Sequence, residues 1–249
     1  MSILVNCHHC FSYVVYGKNK KYFDPIFDTY QILEDTNLTF TLLIFCDDVA
    51  FFTKKFEHLH KIKVISIPPR LKFFPRISRF LAADNVFCDY YHFRDSDSII
   101  SQLELLLIKL ETAMGGNGFI IRNHPLHFAP MLAGLFTMDR DWACKLSKLV
   151  KDYPLQEKSY YYDQIFLSKY IYAAFIRSIR VYSSFYYYLG ENVHQIAFDQ
   201  HGFCGRPIDF QSSYTINFKH GLKRLIYIPV FHRLYQRTKF IWVMGLLCK

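Results

Sequence analysis

Glycine and proline are scarce in this chain, at 10 and 9 of 249 residues, and no stretch is of low complexity. That excludes a collagen-like or disordered polypeptide. No apolar run reaches the ~18 residues that a membrane-spanning helix needs. The opening Met1-Ser2-Ile3-Leu4-Val5-Asn6 carries no basic stretch ahead of an apolar one, so no cleaved signal peptide is expected. The Gly-x-x-x-x-Gly-Lys-Ser/Thr phosphate loop is missing too. Cysteine is present but odd in number: seven residues scattered from Cys7 to Cys248. Such spacing argues against a disulfide framework and for a reducing, cytoplasmic compartment. Acid is lacking at one end. From Phe210 to Lys249 there is no Asp or Glu but there are seven Lys and Arg, so of the net +9 only +2 belongs to the first 209 residues.

What the chain has is apolar mass, 51% hydrophobic and 18% aromatic, enough for a substantial core. Ile3-Leu4-Val5, Thr39–Phe45 and Ile62–Ile67 read as buried parallel strands, each stopped by polar residues or proline. Between the first two, Ile26, Phe27, Tyr30 and Leu33 have helical spacing. Arg76–Asn85 reads as helix, Val86–Phe93 as strand, and Ser101–Met114 as a helix burying Leu103, Leu106, Leu107 and Leu110. Phe119–Ile121 is a further short strand, and helices are expected over Asp141–Val150 and Tyr162–Ile171. Strand, helix, strand in alternation is α/β architecture, with ligands expected beyond the strand ends.

Beyond the Val86–Phe93 strand stands Arg94-Asp95-Ser96-Asp97-Ser98. Two carboxylates two residues apart can approach one hard divalent cation, Mn²⁺ or Mg²⁺, from the same side. That cation can bridge a diphosphate and offset charge on a nucleotide leaving group. Asp-Ser-Asp is also an ordinary turn and helix N-cap, so the tripeptide alone decides nothing.

Its company is more specific. Arg79-Phe80 precedes it; Glu104, Arg122-Asn123-His124-Pro125, His127, Gly134, Asp163-Gln164 and Asp199 with Cys204 follow. In this order the chain resembles a family of small GT-A-type glycosyltransferases of bacterial polysaccharide loci and large DNA viruses, over about residues 1 to 210. The resemblance implies an α/β, GT-A-like fold: a Rossmann-like nucleotide-sugar-binding domain with a mixed, mainly parallel sheet and helices on both faces. It implies a catalytic domain over 1–213 that moves a hexose from a nucleoside-diphosphate sugar (UDP- or GDP-linked) to a hydroxyl of a glycan or glycolipid, as in lipopolysaccharide synthesis. Asp95, Asp97 and Asp199 would hold the metal, Arg79, Asp95, Arg122 and His124 would bind the donor, and Asp163 would be the general base. Three departures stand out. Asn123 replaces an Asp of the pattern, Ile99 and Leu103 stand where Arg is common, and Asp199 occupies a place usually held by His, with His201 two residues on. Two other classes use similar residues: a nucleotidyl- or phosphotransferase built on the same Asp-x-Asp, and a non-catalytic membrane-surface protein on a degenerate transferase fold.

Asn6-Cys7-His8-His9-Cys10 has half the ligands of a zinc site and no second pair, so it is read as a loop beside the nucleotide. Cys46-Asp47-Asp48 ends a strand, where a carboxylate contacts either a ribose or solvent. Tyr160–Tyr162 and Tyr186–Tyr188 are read as packing residues ahead of sugar-stacking platforms. The tail, 214–249, mixes Lys and Arg with Phe240, Ile241, Trp242 and many leucines. That composition suits an anionic membrane surface, and a helical pair packed on the domain is the other reading. No nucleic-acid recognition motif accompanies the charge.

Overall fold

The computed structural model describes residues 7–153, 160–198 and 202–210. Eight strands form one mixed sheet: β1 (His8–Val15), β2 (Thr39–Cys46), β3 (Ile62–Ser66), β4 (Tyr90–Arg94), β5 (Gly118–Arg122), β6 (Leu135–Asp139), β7 (Arg180–Ser183) and β8 (Asn192–Gln195). Their order is β3-β2-β1-β4-β6-β5-β7-β8. β6 runs antiparallel to both neighbours, β4 and β5, and the other pairs are parallel. The expected mixed, mainly parallel sheet is present.

The first strand is not where the apolar run Ile3–Val5 put it; that run lies outside the described residues. β1 begins at His8 and takes in His9 and Cys10, which corrects the reading of this stretch as a loop. The cause is pairing on both sides. β1 pairs with β2 along its whole length and with β4 over His9–Ser12; all its residues after His8 are buried, and a central strand hides polar side chains provided they find partners. His9 Nδ1 meets His92 Nε2 at 3.0 Å and His92 Nδ1 meets Thr137 Oγ1 at 2.7 Å. The three residues come from β1, β4 and β6.

Helices cover both faces. On one lie α1 (Asp24–Glu34), α2 (Val49–Lys55) and, after α3 (Ala82–Asn85) on the other, α4 (Gln102–Ala113). α1 starts with proline in its first turn and buries Ile26, Thr29, Tyr30 and Leu33, an i, i+3, i+4, i+7 stripe. α5 (Arg140–Asp152) is capped by Asp139, whose carboxylate accepts from Trp142 N at 2.9 Å, and buries Ala143, Leu146, Ser147 and Val150. α6 (Tyr162–Tyr170) and α7 (Tyr172–Phe175) share its face of the sheet. The Arg76–Asn85 segment is a 3-10 helix, Pro75–Leu81, running into α3.

α4 turns a different face inward from the one its leucines suggest. Leu106 is 61% exposed, whereas Glu104 and Glu111 are buried with Leu105, Leu107 and Ile108. Glu104 is ion-paired to buried Arg94. Glu111 accepts from Arg180 at 2.8 Å and from the Tyr182 hydroxyl. Leaving Arg94 without Glu104, or Glu111 without Arg180, would strand a buried charge. Those pairs, not leucine spacing, set the rotation of the helix.

Asp47 and Asp48 are structural. Asp47 accepts from Gly17 N at 2.8 Å; Asp48 caps α2 through Phe51 N at 3.0 Å and pairs with Lys18 at 3.1 Å. No helix among the described residues is long and apolar enough to cross a membrane.

Candidate functional site

The chain leaves β1 toward β2 and β3 on one side, and later returns to place β4 on the other. The carboxyl ends of β1 and β4 therefore flank a topological switch point, where open α/β sheets leave a crevice. A cleft of about 240 Å³ lies there, lined by Val14 near the end of β1 and Tyr16 just past it, Asp95 to Asp97 after β4, and Arg76, Arg79, Asp163 and Gln164.

Arg79 organises it. Its backbone carbonyl accepts from Ser12 on β1 at 2.8 Å, and the next carbonyl, of Phe80, accepts from Ser147 on α5 at 2.9 Å. The 3-10 segment is thus pinned to the sheet and to a helix, and the Arg79 side chain is 1% exposed. Its guanidinium donates to Asp95 Oδ1 at 2.6 Å, to the Arg94 carbonyl at 3.0 Å and to Asp163 Oδ2 at 2.8 Å. Burial disfavours the charged guanidinium, but the Asp95 and Asp163 carboxylates outweigh it and hold the group above its ordinary range. Arg76, which sequence reasoning passed over, stands beside it with Nε 3.9 Å from Asp163 Oδ2 and its guanidinium 4.3 Å over the Tyr160 ring. The signal was there: Arg76 and Arg79 are three residues apart, one turn of a 3-10 helix.

Asp163 enters at the first turn of α6, 3% exposed, its other oxygen accepting from Gln164 N at 3.0 Å. Asp95 differs: its side chain is 52% exposed. Gly134 makes room for it, since a Cβ there would sit 2.2 Å from Asp95 Oδ2. Asp97 is half-buried, and burial first, then the Asp95 carboxylate, pushes its pKa up to about 6. Over this loop lies the segment around Gly205: Ile208 N donates to the Asp97 carbonyl at 3.0 Å, and Lys21 pairs with Asp209 at 3.0 Å.

A cation fits this arrangement. Two carboxylates face the cleft, both offering oxygen donors. Arg79 pairs with one, Asp95, and burial together with the Asp95 charge makes it unfavourable for the other, Asp97, to ionise without a further cation. Mg²⁺-type sites commonly use one or two carboxylates and take their remaining ligands from phosphate and water. Among the described residues no three His, Cys, Asp or Glu side chains cluster as a metal cage. Asp199 and His201 lie outside the described residues.

Two of the expected donor residues are elsewhere. Arg122 does not line the cleft. It is fully buried in an ion pair with Glu191, which also accepts from the Tyr172 hydroxyl at 2.6 Å, and Tyr188 stacks on its guanidinium at 4.6 Å. Its charge is neutralised inside the fold, apart from the lining of the cleft. His124 lines a neighbouring cavity instead, stacked on Phe203 at 4.0 Å. Asn123 accepts from Cys204 N at 3.1 Å, and Cys204 meets Ser101 Oγ at 3.2 Å, so this part of the pattern ties the late loop to the sheet. Tyr160 and Tyr161 line the cleft. Tyr186 and Tyr188 point their hydroxyls at the Pro125 and Phe128 carbonyls.

No family model matches the sequence, and no curated protein matches it. Solved structures do. The glycosyltransferase GlyE of Streptococcus pneumoniae TIGR4 superposes with a TM-score of 0.52 at 16% identity, over 90% of this chain and 52% of that one. S. aureus TarS 1-349 gives 0.45 at 16%, over 64% and 54%. The mannosyl-3-phosphoglycerate synthase of Rubrobacter xylanophilus gives 0.47 at 14%, over 93% and 75%. The chain spans about half the length of the first two. With its mixed eight-stranded sheet, the protein has a GT-A-like α/β fold.

Proposed function

We propose that the protein is a glycosyltransferase that moves a hexose from a UDP- or GDP-linked donor to a hydroxyl of a glycan or glycolipid acceptor. The observation that carries this reading is the Arg79 bridge: one buried guanidinium joins Asp95 of the Asp-x-Asp loop to Asp163 of α6 in a cleft at the switch point of a GT-A-like sheet. A leaving diphosphate needs cationic stabilisation and an attacking hydroxyl needs an acceptor for its proton. Groups of both kinds lie within one side chain's span.

Asp95 and Asp97 would hold a divalent cation, Mn²⁺ or Mg²⁺, which supplies positive charge against the departing nucleoside diphosphate. Arg79 and Arg76 hold the Asp163 carboxylate in place. In an inverting reaction Asp163 takes the proton of the acceptor hydroxyl; in a retaining one it orients that hydroxyl. Cytoplasmic lipid-linked acceptors would be met at an anionic membrane face through the basic 214–249 tail, which lies outside the described residues.

Incubation with a panel of UDP- and GDP-hexoses, Mn²⁺ and candidate glycans tests the reading by chromatography. Release of nucleoside diphosphate with growth of the acceptor is the expected result. Release of pyrophosphate from a nucleoside triphosphate and a sugar phosphate would establish a nucleotidyltransferase instead. If neither occurs and no nucleotide binds, the non-catalytic reading stands.

A further inference from the structure

α4 turns both of its acids inward and an apolar stripe outward. Glu104 and Glu111 are buried against Arg94 and Arg180. Leu106, Leu110 and, at the C-cap, Met114 are exposed, and Leu103 is half-buried. These four stand at i, i+3, i+7 and i+11, on one side of the helix. Lys109 is the one charged residue that α4 exposes. Single surface leucines need no account, but an apolar stripe along a whole helix marks a contact surface.

The helix beside it carries charge of one sign. α1 lies on the same face of the sheet, and Ile100 N, just ahead of α4, donates to Thr29 Oγ1 of α1 at 3.2 Å. α1 contains no lysine or arginine. Asp24, Asp28 and, at its C-cap, Asp35 are exposed and have no ion-pair partner among the described residues. The partner that suits this side of the molecule is therefore both apolar and basic. An anionic leaflet would meet the three aspartates. A second copy is disfavoured by area: a stripe ~18 Å long and ~10 Å wide covers roughly 180 Å², against ~800 Å² per partner in a stable dimer.

The chain itself brings such a partner to this place. Cys204 meets Ser101, the N-cap of α4, at 3.2 Å, and Pro207 bridges to Ser98. Asp209 pairs at 3.0 Å with Lys21, just ahead of α1. The described residues thus end at the heads of both helices. Residues 211–228, which follow, hold Lys219, Lys223 and Arg224, no acid, and apolar Phe218, Leu222, Leu225 and Ile226 among others. Their reach is ample, since eighteen residues span ~27 Å even as a helix, against ~18 Å for α4. A tethered segment also docks without the loss of free motion that a separate partner meets.

We propose that residues 211–228 pack along the outer face of α4 beside α1, with their apolar side chains on the leucine stripe and their basic ones toward Asp24, Asp28 and Asp35. The contact ends at Pro229, where a regular segment would be broken, and Phe240, Ile241 and Trp242 lie beyond it. None of the α1 and α4 residues involved lines the cleft, so the proposal stands apart from the transferase reading.

Photocrosslinking of the full chain tests it, with p-benzoylphenylalanine in place of Leu110 and with or without phosphatidylserine vesicles. Mass spectrometry should find a crosslink within one chain to residues 211–228. The same probe in place of exposed Phe87, which stacks on Arg140 of α5 at the opposite face, should not give it. Hydrogen exchange supplies a reading free of the probe. Leu106→Lys with Leu110→Lys, and separately Asp24→Lys with Asp28→Lys, all at exposed positions, should each speed exchange in 211–228 about tenfold, the loss of one well-made contact, and leave the strands unchanged. Absence of the crosslink within one chain overturns the proposal, whether the probe reacts with lipid, with a second chain or with nothing. Exchange in 211–228 that is the same in wild type and both variants overturns it too. Neither readout involves nucleotide, so the transferase reading can fail without changing the result.

Discussion

Arg79 and Asp163 meet at 2.8 Å with both side chains almost wholly buried. The contact joins a 3-10 helix to α6, two segments 84 residues apart in sequence, and is an ion pair that neither partner can leave without cost. Removing one member of a buried pair costs about 3–5 kcal/mol, because the other keeps its charge without water. Arg79→Met should therefore lower unfolding free energy by about that much in urea titrations. The double variant Arg79→Met, Asp163→Leu should recover part of the loss. A single variant as stable as wild type would show that the bridge is not formed in solution.

Asp97 gives an effect of opposite sign with and without ligand. Its pKa is raised to about 6 by burial and by Asp95, above the ~3.9 of an unfolded aspartate. A group raised on folding destabilises the fold as pH climbs through that interval, because the unfolded state ionises first. Asp97→Asn removes this cost and should raise the melting temperature of the ligand-free protein at pH 7.5. The same variant should lose the further stabilisation that Mn²⁺ with nucleoside diphosphate confers, since a ligand stabilises only by binding the native state. In the wild type that stabilisation should fade below about pH 6 as Asp97 takes up its proton. Retained Mn²⁺-nucleotide stabilisation in Asp97→Asn would reject the metal role.

The outer β-α units were legible in the sequence because their signals were local. β2 and β3 are continuous apolar runs, α1 carries its stripe and its proline, and the Asp-x-Asp follows a strand. β7 and β8 escaped because Arg180–Ser183 and Asn192–Gln195 are four residues each and take their strand geometry from neighbours, not from composition; β6, Leu135–Asp139, was passed over as well. β1 was displaced for a related reason. His9 and Cys10 are polar or small in sequence, and only pairing with two strands and a histidine partner makes them core. Of the site, the carboxylates could be named from spacing, but which arginine meets them could not. Arg79, Arg94 and Arg122 are all fully buried, and only their distant partners separate the one that faces the cleft from the two enclosed by Glu104 and Glu191.

Four buried histidines predict acid sensitivity. The pKa of His9 falls to about 4 and that of His92 is pushed well below its ordinary value, in both cases mainly by burial; His124 and His127 behave likewise. Unfolded histidine titrates near 6.5. Stability is thus intact above that pH and is lost as pH falls from about 6.5 toward 4, where the unfolded chain binds protons that the fold refuses. Asp97 works in the other direction by one proton. The net slope should approach about three protons, or roughly 4 kcal/mol per pH unit near pH 5. Urea midpoints between pH 7.5 and 4.5 measure it, and His92→Gln should reduce the slope by about one proton. A midpoint flat from pH 7 to 5 would mean that these rings are protonated in the fold.

The tail supplies the last expectation, from sequence alone. Seven basic residues and no acid beyond Phe210 would give an anionic leaflet a favourable field, worth about 1 kcal/mol for each basic residue near the surface. Phe240, Ile241 and Trp242 would add apolar burial at the acyl boundary, so the two contributions reinforce each other. Salt distinguishes them. Screening shortens the Debye length to ~3 Å at 1 M, which releases a purely electrostatic attachment and leaves a mixed one partly in place. The chain truncated after Ser213 should therefore stay folded, keep its binding of nucleotide sugar, and no longer co-sediment with phosphatidylserine-containing vesicles, whereas the full chain should co-sediment and be only partly released by 1 M salt. If the full chain ignores such vesicles at low salt, or if truncation unfolds the domain, the tail belongs to the core and the membrane expectation is lost.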